Sequence, residues 1–325
     1  MNTSTLQIPR STLALAAFTM LSACGGGGTP DAPPPAAAAT VVTALAASPM
    51  YGKVLLLTVN GTNLDQGLAV TSSAVCPAPT LVNAAPLPGA ATTAYSDGVP
   101  TRVNAAAYQS TATTAYYQCT VAAVGAGQFV VTRKSDGATL ATTPFEVPAP
   151  QVTMTMSNGA AVHGAIVVTL APDKAPITVN NFLAYVNTGF YDNTVIHRVK
   201  QNFVIQGGGY AAPVDAATTT TKPTSAPIPL EVNSGLSNVP WTIAMARASA
   251  PGSATSQYFI NLVDNSRILD ASATNPGYAV FGSVTAGIDS VTGIAAAPCT
   301  STPISGTGDC TPIPNVVVMS AVQTR

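Results

Sequence analysis

The stretch VIHRVKQNFVIQGGGY, residues 195–210, places a histidine, an arginine and a glutamine inside two short apolar runs. Val, Ile and Phe alternating with polar residues are typical of β-strands. The chain is otherwise poor in charge, with 8% charged residues and a formal net charge of −1. His197, Arg198 and Gln206 are therefore the first candidates for a functional role. The three glycines predict a tight turn of the backbone out of the strand, past a site.

The composition limits the partners of the chain. Its Lys and Arg residues, 12 in all, are scattered, so no basic stripe is present to follow a phosphate backbone. We therefore expect no nucleic acid as a partner. Two histidines without nearby paired cysteines make a zinc site improbable, and nothing in the sequence implies a metal or another cofactor.

The amino-terminal segment predicts the compartment. STLALAAFTMLSAC, residues 11–24, is an apolar run that ends in small residues, which predicts a signal peptide over residues 1–23. Leu21 to Cys24 resembles a bacterial lipobox, and this resemblance implies that Cys24 is lipidated on sulfur. The alternative is an ordinary cleaved signal with an incidental cysteine. We expect an extracytoplasmic protein anchored by lipid to a bacterial membrane, and Gly25 favours the periplasmic side of the outer membrane.

The remaining cysteines are even in number, which in an oxidising compartment predicts disulfides. Pairing within domains joins Cys76 to Cys119 and Cys299 to Cys310. Four buried free thiols are the alternative.

Two domains are predicted after the lipidation site. Residues 24–40 are rich in Gly, Pro and Ala and predict a flexible tether. Short Val, Leu, Thr and Tyr runs separated by turn residues over 41–147 predict a small β-sandwich of unknown role. The stretch SPMYGKVLLLTVNGTNL, residues 48–64, is similar to the opening of immunoglobulin-like sandwich modules, and this resemblance implies an immunoglobulin-like domain. Pro148 and Pro150 break the chain before a second domain, residues 151–325.

The second domain combines strand patterns with two helical patterns. Residues 177–189 predict a helix with Thr178 as its N-cap, and GIDSVTGIA, residues 287–295, predicts another. Residues 211–229 show no periodicity and predict a surface loop. The fold class is therefore mainly β, with a closed antiparallel barrel capped by two helices.

The blocks NFVIQGGGY, TIAMARA, SATSQYFINLVDN and YAVFGSV, together with the segment from Asp173 to Val199, are similar to cyclophilin-type peptidyl-prolyl isomerases of the bacterial periplasmic kind. The resemblance covers the second domain alone. It implies a barrel of about eight strands, and an enzyme that accelerates rotation about X–Pro bonds in partly folded extracytoplasmic proteins.

The resemblance also implies roles for individual residues. Arg198 aligns with the catalytic arginine, which donates to the prolyl nitrogen in the twisted state, and Gln206 and Phe203 complete the catalytic set. Without the resemblance, a strand arginine paired with a carboxylate for structure is the alternative. The substrate-binding residues that it implies are Val204, Ala246, Arg247, Ala248, Gln257, Phe259, Ile268, Leu269 and Tyr278. We predict a structural role for His197, because the reaction transfers no proton.

Two departures from the family pattern affect the expected ligands, and a third has no explanation in the sequence. Val204 stands where methionine is usual, and Ile268 where an aromatic residue borders the proline pocket, so we expect weak cyclosporin binding. Trp241 stands where glycine is usual, without a role that the sequence explains.

A different class of function stays open. In it the second domain is a non-catalytic module that holds Pro-containing segments, and residues 41–147 recruit a partner. A pocket covered by residues 211–229 or by the first domain would favour this alternative.

Overall fold

The computed structural model describes residues 41–62, 64, 67–82, 95–96, 99–100, 111–306 and 308–325. The predicted signal peptide, the lipidation site Cys24 and the predicted tether lie outside these residues. Within the described ranges, no helix is both long and apolar enough to cross a membrane.

The described strands of the first domain form two larger antiparallel sheets and the two-stranded pair β5–β6, which confirms the predicted mainly β architecture. Strands β1, β2, β7 and β4 form one sheet in that order, and β3, β8 and β9 form the other. Alternating burial along β7 sends Ala115, Tyr117 and Cys119 into the core. The strands described here are β1 Val42–Leu45, β2 Val54–Asn60, β3 Leu68–Ser72, β4 Thr80–Leu81, β5 Tyr95–Ser96, β6 Val99–Pro100, β7 Thr114–Thr120, β8 Gly125–Arg133 and β9 Thr139–Val147.

The second domain is a closed barrel. Eight antiparallel strands follow the order β12, β20, β10, β11, β17, β15, β16 and β13, and pairing of β13 with β12 closes the ring. The elements are β10 Gln151–Ser157, β11 His163–Leu170, α1 Pro176–Asn187, β12 Thr194–Lys200, β13 Val204–Ala211, β14 Thr220–Thr221, β15 Thr242–Met245, β16 Tyr258–Asn261, α2 Ser266–Leu269, β17 Val280–Ala286, α3 Ile288–Ala296, β18 Cys299–Thr300, β19 Thr311–Pro312 and β20 Val317–Gln323.

Both predicted disulfides are formed. Cys76, in the segment between β3 and β4, bonds to Cys119 on β7 and so links this segment to the four-stranded sheet. Cys299 on β18 bonds to Cys310, which directly precedes β19.

The two predicted helices are present as α1 and α3, but the predicted cap of α1 is wrong. The helix begins at Pro176, so Thr178 lies inside the first turn and is fully buried. The backbone N–H groups of Ile177 and Thr178 donate instead to the carboxylate of Glu231, at 3.1 and 2.6 Å. A negative charge at this helix end also complements the helix dipole.

The predicted surface loop, residues 211–229, is largely irregular. It contains the short strand β14, which pairs with the end of β13, and Ile228 forms a bridge to Ala254.

The sandwich and the barrel belong to one compact unit, residues 39–325. The Tyr51 hydroxyl donates to Asn180 Oδ1 at 3.0 Å, and Lys53 Nζ donates to Asn187 Oδ1 at 2.7 Å. Gln323 Nε2 donates to the backbone oxygen of Tyr51 at 3.0 Å. Helix α1 and strand β20 of the barrel therefore contact the start of the sandwich.

Candidate active site

A row of side chains crosses five neighbouring strands on one face of the barrel wall. Arg198 on β12 lies opposite Gln206 on β13, and Gln206 lies opposite Phe259 on β16. The row continues through Ala244 on β15 and Val280 on β17. Directly opposed residues of antiparallel strands share a face. The register therefore places two polar side chains beside an apolar patch.

This patch is separate from the main core. Phe259, Ala244 and Val280 join Val204 and Leu269 in a cluster of their own. The residues that follow or precede them on the strands, such as Ile205 and Ile260, belong to the barrel core instead. Alternation along the strands thus produces one apolar surface inside the barrel and a second one outside it.

A cavity of about 260 Å³ lies over the outer patch. Its walls combine the apolar cluster with the polar end of the row. The lining residues are Arg198, Phe203, Val204, Gln206, Ala246, Arg247, Phe259, Leu269 and Tyr278. The structure therefore brings together the three predicted catalytic residues and six of the predicted substrate-binding residues.

The Arg198 side chain is held on two sides. Its Nε donates to Asp309 Oδ2 at 2.6 Å, and its Nη1 donates to Gln206 Oε1 at 3.0 Å. Within the described part of the chain, Nη2 makes no hydrogen bond. The side chain is 27% exposed, so its free N–H groups are accessible at the cavity wall. Arg198 is thus paired with a carboxylate, as in the alternative interpretation, and also lines the cavity.

A relay of amides continues from the arginine. Gln206 Nε2 donates to Gln257 Oε1 at 2.9 Å, which leaves the amide nitrogen of Gln257 at the end of the relay. The side chain of Gln257 lies against Gly209, where an added Cβ would come within 2.6 Å of Gln257 Nε2. Gly208 has a φ of +83°, which side chains rarely adopt. The glycines therefore make room for this relay and for the turn of the strand.

A second arginine orders the opposite rim. Arg247 Nε donates to the backbone oxygen of Gly277 at 2.9 Å, and its guanidinium carbon lies 4.4 Å from the ring centre of Tyr278. The Tyr278 ring in turn meets Phe259 edge to face, with 5.6 Å between centroids. The arginine therefore fixes an aromatic wall of the cavity.

His197 lies on the other side of β12. It is 2% exposed and meets the ring of Tyr210 at 4.8 Å between centroids. Burial lowers the pKa of His197 to about 4. The imidazole is therefore neutral at pH 7, and it is not among the residues that line the cavity.

Three predicted binding residues do not line the cavity. Ile268, on α2, is 61% exposed. The backbone oxygen of Ala248 accepts from Arg247 Nη1 at 2.9 Å, and Gln257 reaches the site only through Gln206. The expected border at Ile268 is therefore not part of the cavity lining.

Asp309, the ion-pair partner of Arg198, was not predicted from the sequence. Its carboxylate is 4% exposed although the residue lies in a loop between two cysteines. The signal available in the sequence is an acidic residue directly beside a disulfide cysteine, in a chain with 13 acidic residues in all. Although the chain as a whole is poor in charge, Arg198 has a charged partner in Asp309.

Comparison with known proteins agrees with this geometry. Residues 151–323 match the family model for cyclophilin type peptidyl-prolyl cis-trans isomerase. A peptidyl-prolyl cis-trans isomerase of Acinetobacter baylyi is 50% identical over 135 residues, which are 42% of this chain and 69% of the relative. Isomerase B of Escherichia coli is 48% identical over 131 residues, 40% of this chain and 77% of the relative.

Among solved structures, a cyclophilin type isomerase of Cryptosporidium parvum, determined in the presence of the dipeptide Ala-Pro, aligns with 54% of this chain and 99% of its own. The TM-score is 0.42 and the sequence identity is 21%.

The family model matches more than half of the chain. The protein therefore belongs to the cyclophilin-type peptidyl-prolyl cis-trans isomerases. Its function is that of this class of isomerase, as the bacterial relatives at about half identity also indicate.

Proposed function

We propose that this isomerase acts on X–Pro bonds of extracytoplasmic client proteins, with the proline ring in the cavity and Arg198 as the donor to the prolyl nitrogen. The observation that carries this proposal is the arrangement of Arg198. Two neighbours hold its guanidinium, and Nη2 is free. An apolar cluster that can accommodate a proline ring lies beside it.

The chemistry requires no proton transfer. Amide resonance gives the X–Pro bond a rotation barrier of about 18–20 kcal/mol. In the twisted state the nitrogen lone pair leaves conjugation, and a charged N–H donor stabilises it there more than in either planar state. Arginine suits this role because it stays charged and presents its donors in a fixed plane.

The substrate backbone has partners beside the cavity. Among the described residues, the backbone N–H and C=O of Arg247 make no backbone hydrogen bond, although Ala246 N still pairs with Gln257 O at 2.9 Å. An extended peptide can therefore pair with the free edge at Arg247. The terminal amide nitrogen of Gln257 can donate to a peptide carbonyl on the same side.

The test is isomerisation of an Ala-Pro tetrapeptide by the purified chain, beside Arg198→Ala. We expect catalysis in the native chain and its loss in the variant. The double variant Arg198→Ala/Asp309→Ala serves as the folding control, because it does not leave Asp309 buried without its main partner. A folded native chain that binds the peptide without accelerating its isomerisation would establish the non-catalytic module instead. Neither residues 211–229 nor the described part of the first domain line the cavity, which supports the enzyme.

We further propose that the chain is lipidated on Cys24 and works on the periplasmic side of the outer membrane. The lipobox-like sequence and the two disulfides, which suit an oxidising compartment, support this location. Labelled fatty acid incorporated into the native chain and absent from Cys24→Ser is the expected result. Equal labelling of both chains, or none in either, would contradict the proposal.

Weak cyclosporin binding is the corresponding proposal for ligands. The exposed Ile268 provides no indole donor and no wall at the cavity. In a calorimetric titration, Ile268→Trp should bind cyclosporin more tightly than the native chain. Tight binding by the native chain would overturn the proposal.

A further inference from the structure

The carboxylate that holds Arg198 is itself buried. Asp309 Oδ2 accepts from Arg198 Nε at 2.6 Å, and Oδ1 lies 3.7 Å from Lys200 Nζ. The Asp309 side chain is 4% exposed, whereas that of Lys200 is 49% exposed. A carboxylate removed from water is costly unless it is paired. The close partner that compensates Asp309 is Arg198.

The backbone around Asp309 is anchored to the strand that carries Arg198. Val199 N donates to Cys310 O at 2.7 Å, and Cys310 N donates to Val199 O at 3.1 Å. One residue further on, the hydroxyl of Thr311 donates to His197 O at 2.6 Å. The loop therefore pairs with β12 on both sides of the arginine.

Inside the loop, a buried network of hydroxyl groups fixes its shape. Ser305 Oγ lies within hydrogen-bond distance of the backbone oxygens of Thr302 and Asp309, at 3.0 and 3.2 Å. The hydroxyls of Thr302 and Thr311 are 2.7 Å apart. The disulfide between Cys299 and Cys310 closes the loop. The position of Asp309 is thus set by groups that have no contact with the cavity.

Two anchors determine the plane of a guanidinium. Asp309 holds Arg198 through Nε and Gln206 holds it through Nη1, so rotation about the last side-chain bonds would break one of these hydrogen bonds. The nitrogen left free is Nη2. With Gln206 alone, the group would keep a single anchor and could turn about it.

We propose that Asp309 is a positioning residue for Arg198, and that the disulfide-closed loop, residues 299–310, holds it in place. This inference rests on the proposed function, in which Arg198 donates to the prolyl nitrogen. Preorganised donors accelerate a reaction because they need no reorientation in the transition state. Loss of Asp309 should therefore lower kcat more than it raises KM.

The first experiment compares Asp309→Asn and Asp309→Ala in the full chain. Asparagine keeps an oxygen acceptor for Arg198 Nε but loses the charge, and alanine loses both. We expect kcat to fall about fivefold for Asp309→Asn and about 50-fold for Asp309→Ala, with KM within about twofold. Asp136→Asn is the matched control, since it removes an aspartate paired with Arg133 in the sandwich. It should leave both constants unchanged.

A spectroscopic measurement separates positioning from a merely structural role. In the native chain, the Arg198 Nε–H signal should be shifted and protected from exchange by Asp309. It should persist in Asp309→Asn and be lost in Asp309→Ala, while the remaining amide spectrum stays that of a folded protein. Unchanged Nε–H signals in Asp309→Ala would overturn the inference.

The loop is tested with Cys299→Ala/Cys310→Ala. We expect a fall in kcat that is smaller than that of Asp309→Ala, because the hydroxyl network remains. Native kcat in this variant would remove the disulfide from the proposal.

Native kcat in Asp309→Ala, combined with loss of activity in Arg198→Ala, would sink the positioning role and leave the proposed function intact. Full activity of Arg198→Ala would instead overturn the proposed function itself.

Discussion

Two arginine–aspartate pairs in this chain have the same chemistry and different surroundings. Arg133 and Asp136 lie at the turn between β8 and β9, 2.7 Å apart, with side chains 30% and 49% exposed. Arg198 and Asp309 are 111 positions apart in sequence and 2.6 Å apart in space, and their side chains are 27% and 4% exposed.

The difference shows how the surroundings decide what an ion pair does. Water screens the pair at the turn, so that pair contributes little to stability or to any site. In the barrel the carboxylate is buried and the arginine reaches a cavity, so the charge of one partner is used to orient the other. The two regions can therefore be compared by experiments on stability, acid and chemistry, and a third arginine adds a comparison of binding, in order of decreasing expected effect.

The largest effect should be an asymmetry in stability. Arg198→Ala leaves the buried Asp309 with only the half-exposed Lys200, whose Nζ lies 3.7 Å from Oδ1, and should lower the free energy of unfolding by about 4 kcal/mol. Asp309→Ala leaves an arginine that water can reach, and should cost about 1 kcal/mol. Urea unfolding measures both. Equal losses would show that the carboxylate is not effectively buried, and Arg133→Ala should show no comparable loss.

A fall in pH should lower the stability of the barrel rather than that of the sandwich. Both histidines of the chain lie in the barrel, and His197 has a pKa of about 4 against an ordinary value of 6.5. Between these two pH values, His197 is protonated in the unfolded chain but not in the folded chain. Stability is therefore full above pH 6.5 and is lost as the pH falls towards 4, by about 3 kcal/mol.

The readout for acid is the fluorescence of Trp241, the single tryptophan of the chain, which lies in the barrel. Urea unfolding followed at pH 7 and pH 4.5 should show the loss in the native chain and in His163→Gln, since His163 is exposed. His197→Leu should flatten the pH dependence. The isomerase rate per folded molecule should stay level from pH 6 to 8, and a step near 6.5 would contradict a neutral His197.

Exchange of arginine for lysine should distinguish the pairs by chemistry. Lysine keeps the charge but lacks the planar set of donors that lets Arg198 bind two neighbours and a substrate together. We expect kcat/KM to fall about 100-fold in Arg198→Lys, equivalent to about 2.7 kcal/mol. Arg133→Lys should retain native kcat/KM. Full activity of Arg198→Lys would mean that charge alone suffices.

Much of the fold follows from local sequence. Strand alternation and the two helical patterns predicted the barrel with α1 and α3, because each pattern is contained in one element. The cap of α1 was mispredicted because its acceptor, Glu231, lies 53 positions from Thr178. The backbone at Trp241 has a φ of +67°, which glycine adopts without strain, so it accounts for the glycine usual there; nothing in the structure explains the tryptophan.

The candidate site shows the same limit. Arg198, Gln206 and Phe259 were predicted from sequence blocks and occupy one row of the barrel wall. Asp309 was not predicted, because neither periodicity nor spacing links a residue in an irregular loop to a strand so distant in sequence. The position of Ile268 outside the cavity lining likewise depends on how the short helix α2 packs. Local sequence patterns do not determine this packing.

A third arginine extends the comparison to binding. Arg247 has no carboxylate partner within hydrogen-bond distance in the described chain, and uses its guanidinium to hold Tyr278 at the cavity rim. Arg247→Met keeps the length of the side chain but loses the charge over the ring, an interaction of about 1 kcal/mol. Because the ring lines the cavity but has no donor directed at the prolyl nitrogen in the proposed mechanism, we expect it to bind the planar and twisted states alike. KM should therefore rise about fivefold while kcat stays within twofold. Steady-state kinetics on the Ala-Pro peptide measures this. A fall in kcat as large as the loss of kcat/KM expected for Arg198→Lys, about 100-fold, would instead place Arg247 in the chemical step. The distinction between an arginine that donates to the prolyl nitrogen and one that shapes the cavity would then fail.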